Sequence, residues 1–282
     1  MGNAIPCVFG PGEIESAPMQ KQQADTIESW FDAYVTGFYN DDTFANANWK
    51  MKEDHSRRVC GEMVRLAGAL GLDAARKQLA RVIGLLHDVG RFEQFARYRT
   101  YSDPRSVSHG PLGVEIIGRH NVLKALDPAE ARIIEEAVGC HGLLAIPPQL
   151  TGDELFFAKM IRDADKLDVY RVVAAYYTNY KKDPASFPLE IELPDEPRCS
   201  PHVVENVLAG RQTDYSTLRT LSDMIVIQLG WVYDIHFAAT VRRIDQLGLL
   251  DRIMDLLPHT EQIERVSQSI RAYIKQRIAR EG

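Results

Sequence analysis

The sequence predicts an all-α protein. Apolar residues recur at steps of three and four in segment after segment, which is the spacing of one helix face. Capping residues precede several of these segments, and glycine or proline follows them. Only residues 189–193 alternate apolar and acidic side chains, as a short strand would. With 282 residues, of which 45% are hydrophobic, the chain has enough apolar material for a sizeable core.

The first two clear helices are predicted at residues 54–71 and 73–88. In each segment the apolar side chains recur at helical spacing and form one face. Gly90 follows the second segment and is interpreted as a stop signal. The two apolar faces consist of Val59, Met63, Leu66, Leu70, Leu79, Val82, Ile83 and Leu86.

Further helices are predicted to begin at two capping sequences. Residues 127–130 read Asp-Pro-Ala-Glu, and residues 151–154 read Thr-Gly-Asp-Glu. The second opens a long helix that reaches about Lys182, and five prolines follow it within twenty residues. We therefore expect a helical core at residues 25–182 and a C-terminal helical extension at residues 183–282 that packs on the core.

Composition excludes several classes of protein. The formal net charge of −6 argues against a nucleic-acid-binding surface, which usually carries a basic excess. The four cysteines are widely separated and form no CxxC pair, and no signal peptide is recognised, so we expect a reducing, cytoplasmic location. No apolar run of about 18 residues occurs, so no membrane anchor is expected. The sequence leaves the oligomeric state open.

Chemically active side chains interrupt the apolar helix faces. Asp165 falls on the face of its helix that should enter the core, and so do His87, which Asp88 follows, and His141. A buried carboxylate is so costly that it normally neutralises, pairs or coordinates a metal. Three separate helices thus direct a metal-competent side chain inward, which predicts that they meet at an ion.

Each of these residues also has a simpler interpretation when it is taken alone. A single inward histidine such as His141 is often only hydrogen-bonded within a core. Asp165 could form an ion pair with Arg162 or Lys166, although neither shares its helix face well. The prediction of a metal site therefore depends on the combination. The other histidines match no motif and are interpreted as structural or surface residues: His120, His202, His236 and His259.

The segment from Ile83 to Arg91, Ile-Gly-Leu-Leu-His-Asp-Val-Gly-Arg, resembles the central motif of the HD-domain superfamily of metal-dependent phosphohydrolases. His55, upstream on the preceding helix, matches the first histidine of that family, and Asp165 matches its last aspartate. The resemblance covers about residues 25–180. It implies an HD-domain helical bundle followed by a C-terminal helical extension of undefined role.

Two further matches resemble HD proteins that hold two metal ions. Residues 109–113, His-Gly-Pro-Leu-Gly, are similar to their His-x-x-x-Gly element, and His141 stands where their next histidine stands. The resemblance implies that Asp88 bridges two ions. Mixed imidazole and carboxylate ligands suit Mn, Fe, Co, Ni or Zn. The implied ligands are His55, His87, Asp88 and Asp165 for one ion, with His109 and His141 added for the second.

The resemblance implies hydrolysis of a nucleotide or another small phosphoester by a metal-bound hydroxide. Asp88, Arg91 and Lys166 are the predicted catalytic residues, and Arg91, Lys166 and Arg171 are predicted to bind the substrate phosphate. Asp163 and Asp168 flank Asp165 and are predicted to orient a ligand histidine or the water. The Gly-Tyr-Pro element of the cyclic-dinucleotide phosphodiesterases does not follow His141.

Two other functions stay open at this level. Diiron oxygenases of the same superfamily use a similar ligand set to cleave carbon bonds with dioxygen. A non-catalytic nucleotide-binding regulator with an HD fold would use the C-terminal extension to contact a partner. The complete ligand set favours an enzyme over the regulator.

Overall fold

A computed structural model describes residues 18–182, 193–211 and 213–280. These residues form α-helices joined by turns and short 3₁₀ helices, with no strand among them, as the sequence predicts. The predicted strand at residues 189–193 lies outside the described residues except for Leu193. The α-helices are α1 (Lys21–Thr36), α2 (Thr43–Ala69), α3 (Ala74–Leu86), α4 (Val89–Tyr98), α5 (His109–Arg119), α6 (Pro128–Cys140), α7 (Gly152–Lys182), α8 (Pro201–Leu208), α9 (Leu221–Gly230), α10 (Ala238–Gln246), α11 (Leu249–Met254) and α12 (Glu261–Arg280).

Aspartate side chains fix the start of several helices. Asp73 accepts a hydrogen bond from a backbone N–H of the first turn of α3, and Asp127 does the same for α6. Helix α2 begins eleven residues before its predicted start, because Asp42 caps it and Trp49 extends its buried face. The apolar spacing in the sequence detects only the later part of this face.

The interpretation of Gly90 as a helix stop is wrong. Gly90 is the second residue of α4, and the chain turns before it, at His87 and Asp88. A Cβ at Gly90 would lie 2.2 Å from the carbonyl oxygen of His109. Only glycine therefore lets α4 approach the start of α5 this closely, and that approach brings His109 beside Asp88.

The described apolar side chains form two main clusters that meet within α7. The first packs α1 to α6 with the early part of α7 and includes Ala164. The second begins at Leu167 and packs the later part of α7 with α8 to α12. Helix α7 also lies against α10 and α11, and α2 contacts α10. The division of the chain after residue 182 stays a prediction.

None of the helices in the described part of the chain combines the length and the apolar character that a bilayer crossing requires.

Candidate metal centre

The structure brings the six predicted metal ligands together at one place. His55 lies on α2, His87 and Asp88 form the junction between α3 and α4, and His109 is the first residue of α5. His141 directly follows α6, and Asp165 lies in the middle of α7. All are buried except Asp165, whose side chain keeps 25% of its exposure. The sequence predicted Asp165 in the core, but its carboxylate faces a cleft.

The carboxylate of Asp88 lies between two pairs of histidines. Its Oδ2 is 3.6 Å from Nε2 of His55 and 3.8 Å from Nε2 of His87. Its Oδ1 is 3.6 Å from Nε2 of His109 and 3.5 Å from Nε2 of His141. Each oxygen of Asp88 therefore faces one pair, which is the arrangement that a carboxylate bridging two ions needs.

Asp165 completes the first histidine pair. Its Oδ1 lies 3.1 Å from Nε2 of His55 and 3.9 Å from Nε2 of His87. Ligand atoms of His87, His141 and Asp165 also lie close enough together to hold an ion. The donor set is thus mixed imidazole and carboxylate, which suits a divalent transition metal.

Hydrogen bonds at Nδ1 fix the orientation of all four imidazoles. Nδ1 of His87 donates to the carbonyl oxygen of Gly84, and Nδ1 of His141 donates to that of Val138, both at 2.8 Å. A carbonyl only accepts, so the proton must be on Nδ1 and the lone pair on Nε2. His55 and His109 direct Nδ1 at the carboxylates of Asp168 and Asp103. This is the outer-shell pattern of histidines that bind metals through Nε2.

The opposed Nε2 atoms have the spacing of ligands that share an ion. Nε2 of His55 is 3.2 Å from Nε2 of His87, and Nε2 of His109 is 3.0 Å from Nε2 of His141. Metal–nitrogen bonds of about 2.1 Å, set roughly at right angles, separate two nitrogens by about 3.0 Å. Burial lowers the pKa of His87 to about 3 and also lowers that of His109. Their buried lone pairs at neutral pH therefore fit a cation.

The carboxylates stay ionised although they are buried. Burial by itself raises the pKa of Asp88, but Lys52 and His87 hold it well below its usual range. Nζ of Lys52 is 2.9 Å from Oδ2 of Asp88. For His55, burial by itself lowers the pKa, but hydrogen bonds to Asp165 and Asp168 raise it to about 9. The centre therefore combines negative carboxylates with the lone pairs of His87 and His109, which favours a cation, and a metal that binds His55 must displace its proton.

Asp168 orients the first histidine, as the sequence predicts for one of its two candidates. Its Oδ2 lies 2.8 Å from Nδ1 of His55, and its side chain is fully buried. Arg58 donates two hydrogen bonds to Asp168, and Arg171 donates a third. The second candidate, Asp163, accepts instead from the backbone N–H groups of His236 and Phe237. Asp163 lies two residues before the predicted ligand Asp165, which is a turn of about 200° around the helix, so Asp163 faces the C-terminal extension.

Asp103 contacts His109 as Asp168 contacts His55, and the sequence did not predict this role. Oδ2 of Asp103 lies 2.7 Å from Nδ1 of His109. Asp103 begins a short 3₁₀ helix, where no helical periodicity marks it as inward-facing. Lys52 and Arg58 were missed for a related reason, because a charged side chain on a partly exposed helix face usually indicates solvent contact.

The predicted phosphate-binding residues occupy different surroundings. Arg91 donates to Asp103 and to the carbonyl oxygen of Tyr101, and its Nε is 3.4 Å from Asp88. Arg171 donates hydrogen bonds to Asp168 and to Glu62, so carboxylates of the protein occupy its guanidinium group. Lys166 lines the cavity beside the centre, with Nζ 2.7 Å from Oδ2 of Asp234. The phosphate-binding roles stay predictions, and of the three residues only Lys166 lines the cavity.

A cavity of about 590 Å³ adjoins the metal centre. His141 and Asp165 form its inner end, and residues between 207 and 234 form the opposite wall. Arg162, which the sequence offered as an ion-pair partner for Asp165, also lines this cavity. Arg162 donates to Asp234 and to the carbonyl oxygens of residues 141, 143 and 144. The C-terminal extension therefore builds part of the wall of the candidate site.

The two carboxylates on α7 allow a matched test of histidine orientation. Asp168→Asn should weaken metal binding about tenfold to a hundredfold, because the hydrogen bond to His55 loses its charged acceptor. Asp163→Asn serves as the control, since Asp163 is equally buried but contacts His236 and Phe237. Both variants should be less stable than the wild type. Metal titration by calorimetry distinguishes them, and equal metal affinities in the two would contradict the orienting role of Asp168.

A second prediction concerns the number of ions. His109→Ala and His141→Ala should each leave the fold intact and lower the bound metal from two ions per chain toward one, because both residues belong to the pair that faces Oδ1 of Asp88. Elemental analysis measures the ratio, and circular dichroism checks the fold. An unchanged ratio in both variants would mean that the centre holds a single ion.

The comparison with family models agrees with this geometry. Residues 53–170 match the HD domain, and this segment contains all six predicted ligands. Neither the curated proteins nor the solved structures yield a significant match to the chain. The matched segment runs from α2 to the middle of α7, and it contains the histidine and aspartate groups that lie close enough together to hold a metal ion. Residues 53–170 thus form an HD domain.

Proposed function

We propose that this protein is a metal-dependent phosphohydrolase that acts on a nucleotide or another small phosphoester. The observation that carries the proposal is the position of Asp88 between two histidine pairs, beside a cavity that a substrate can enter. Two divalent ions in such a centre neutralise phosphoryl charge and activate water. The residues that would hold them are His55, His87, Asp88, His109, His141 and Asp165.

Cationic side chains of the chain supply the complementary charge for a phosphate. Lys166 and Arg162 converge on the cavity from α7, and Arg211 lines it from the C-terminal extension. Oδ2 of Asp234 accepts hydrogen bonds from both Lys166, at 2.7 Å, and Arg162, at 3.0 Å. Asp234 thereby holds the two cations at the cavity wall. Their ammonium and guanidinium groups can orient a phosphate whose reacting end lies near Asp165.

The aromatic wall of the cavity favours a nucleotide over a smaller phosphoester. Tyr215, Trp231 and Tyr233 line the cavity. Nε1 of Trp231 donates to the hydroxyl of Tyr215, and the fully buried ring of Tyr170 lies 6.2 Å from the indole. Trp231 is thus held in place, and Tyr215 keeps 48% of its surface exposed. Stacking of a base on such rings contributes about 1–3 kcal/mol, and a volume of 590 Å³ accommodates a ligand of that size.

A substrate screen tests the proposed activity. Purified protein loaded with Mn²⁺ or Fe²⁺ is assayed with and without dioxygen against nucleoside monophosphates, dinucleoside polyphosphates and glycerol phosphate. Released phosphate and released nucleotides are both measured, because cleavage of a dinucleoside polyphosphate yields two nucleotides. We expect hydrolysis that proceeds without dioxygen and that a chelator abolishes. Consumption of dioxygen without phosphate release would instead indicate the oxygenase. Nucleotide binding without turnover under all metal conditions would indicate a regulator.

Tyr215→Leu tests the preference for nucleotides. The variant should lower kcat/KM for the best nucleoside monophosphate about tenfold relative to kcat/KM for glycerol phosphate, because stacking on the ring is lost. Tyr98→Leu is the matched control, since Tyr98 has a similar exposure of 42% and lies on α4 outside the cavity. Equal ratios in the two variants would show that Tyr215 does not contact the base.

A further inference from the structure

A second, smaller cavity lies on the other side of α7 from the metal centre's substrate cavity. It has a volume of about 190 Å³ and is enclosed by α2, α7 and α10. Its volume equals that of about six water molecules and falls below the range of about 300–1,000 Å³ that holds drug-sized ligands. None of its lining residues belongs to the predicted metal ligands. The small volume restricts a ligand to a compact molecule.

Three of the four charged residues that line this second cavity are arginines. Arg65, Arg242 and Arg243 line it, and the lining contains one acidic residue, Glu62. Glu62 is already shared, because its carboxylate accepts from Arg65 at 3.2 Å and from Arg171 at 2.9 Å. Arg242 forms no ion pair within the described part of the chain. This local excess of positive charge occurs in a chain whose formal net charge is −6, so it points to an anionic ligand.

Polar atoms without partners and an apolar floor define the rest of the ligand. Thr240 lines the cavity and is only 3% exposed, and its Oγ1 has no hydrogen-bond partner among the described residues. The buried Nε of Arg243 also has no hydrogen-bond partner among the described residues, and its contact with Oε2 of Glu62 is an ion pair at 3.7 Å. Such buried groups normally have a partner, and a ligand can supply one. The floor is apolar and consists of Leu66, Ala69, Ala164, Leu167 and Ala239.

Glu62 connects this cavity to the metal centre through an unbroken series of charged contacts. Oε1 of Glu62 accepts from Arg171 at 2.9 Å, and Arg171 donates to Oδ1 of Asp168 at 3.0 Å. Oδ2 of Asp168 lies 2.8 Å from Nδ1 of His55, one of the predicted ligands. An anion at the cavity competes with Glu62 for Arg243 and Arg65, which leaves Glu62 to bind Arg171 more strongly. Arg171 then shifts away from Asp168, and Asp168 holds His55 differently.

We propose that the cavity between α2, α7 and α10 binds a small organic anion and that this binding regulates the metal centre through Glu62, Arg171 and Asp168. The ligand carries a carboxylate or phosphate that faces Arg242 and Arg243, and a compact apolar part that contacts the alanine and leucine floor. The site is separate from the substrate cavity. The two sites are coupled in both directions, since a change in metal affinity on anion binding requires the same change in anion affinity on metal binding.

The site itself is tested with a pair of probes that differ in charge. Butyrate should bind the metal-loaded protein, and butylamine, which has a similar size and the opposite charge, should not. Calorimetry measures both, with inorganic phosphate as a third probe that asks whether the apolar part is needed. Arg242→Gln and Arg243→Gln should each weaken butyrate binding about tenfold, as expected for hydrogen bonds to a charged group. Arg265→Gln, an exposed arginine on α12, is the control.

The coupling is tested by metal titration with and without butyrate. Saturating butyrate should change the metal dissociation constant about fivefold or more, and Glu62→Gln should abolish that change while butyrate still binds. Butyrate that does not bind, or that binds equally well to Arg242→Gln and Arg243→Gln, would overturn the site. An unchanged metal affinity in the wild type would overturn the coupling. Metal binding is the measured quantity, so these results do not depend on the substrate of the enzyme.

Discussion

Asp88→Ala is expected to abolish activity and to remove at least one bound metal ion per chain. Asp88 is the only predicted ligand whose two oxygens face different histidine pairs, and it is 3% exposed. Its loss would remove a ligand from each ion that the centre holds, and it leaves Lys52 without its buried partner. A bound metal ion stabilises the charge of the transition state and lowers the barrier to hydrolysis by several kcal/mol. Without it, turnover should fall by about a thousandfold or more.

The control for this variant is Asp54→Ala. Asp54 is adjacent to His55 in sequence, but its side chain is exposed and pairs with Lys50 at the surface. It should therefore retain activity and metal content. Elemental analysis and turnover are measured on the same samples, and circular dichroism verifies the fold of both variants. If Asp88→Ala kept its full metal content and turnover, Asp88 would not be a ligand and the assignment of the centre would fail.

Removal of the metal is expected to lower the melting temperature by about 8–16 °C. A ligand that binds only the folded state stabilises it by about 4 kcal/mol at a thousandfold excess over Kd. In a chain of about this size, each kcal/mol of stability shifts the melting temperature by about 2–4 °C. The physical reason is the centre itself, where two carboxylates and four histidines lie within a few ångströms. Without a metal ion, the negative charges of the two carboxylates and the lone pairs of His87 and His109 are compensated less well.

Scanning calorimetry of chelated, verified metal-free protein and of metal-loaded protein measures this difference. Asp165→Asn should reduce the stabilisation by added Mn²⁺, because an amide oxygen is a weaker ligand than the carboxylate that faces His55. Asp153→Asn, an exposed residue in the first turn of α7, should respond like the wild type. Identical melting temperatures with and without metal would mean that protein partners alone satisfy Asp165.

Local spacing in the sequence identified the helices and several of the site residues. His87 and His141 interrupt apolar helix faces, and the structure shows both as buried. The resemblance to the HD family supplied His55 and His109, which periodicity did not single out. The start of α6 at its aspartate cap was also readable, because a cap acts on N–H groups only two or three residues away.

Contacts between distant segments were not readable from the sequence. Asp163 and Asp168 looked equivalent, yet Asp168 contacts His55 across 113 positions and Asp163 contacts residues of the C-terminal extension. Arg91 and Arg171 were predicted to bind phosphate, but neighbouring helices place carboxylates against them. The position of a charged residue in the sequence does not indicate which side chain of another helix will contact it.

The sequence by itself determined that the chain is helical, that polar side chains enter its core and that these are metal-competent. Periodicity carries that information, because it specifies which face of each helix is buried. Only the tertiary structure decided that Asp88 lies between two histidine pairs, that Gly90 brings α4 against α5, and that the C-terminal extension forms the wall of the cavity. These features depend on which helices pack together and at what distance, and that is set by the packing of the whole core.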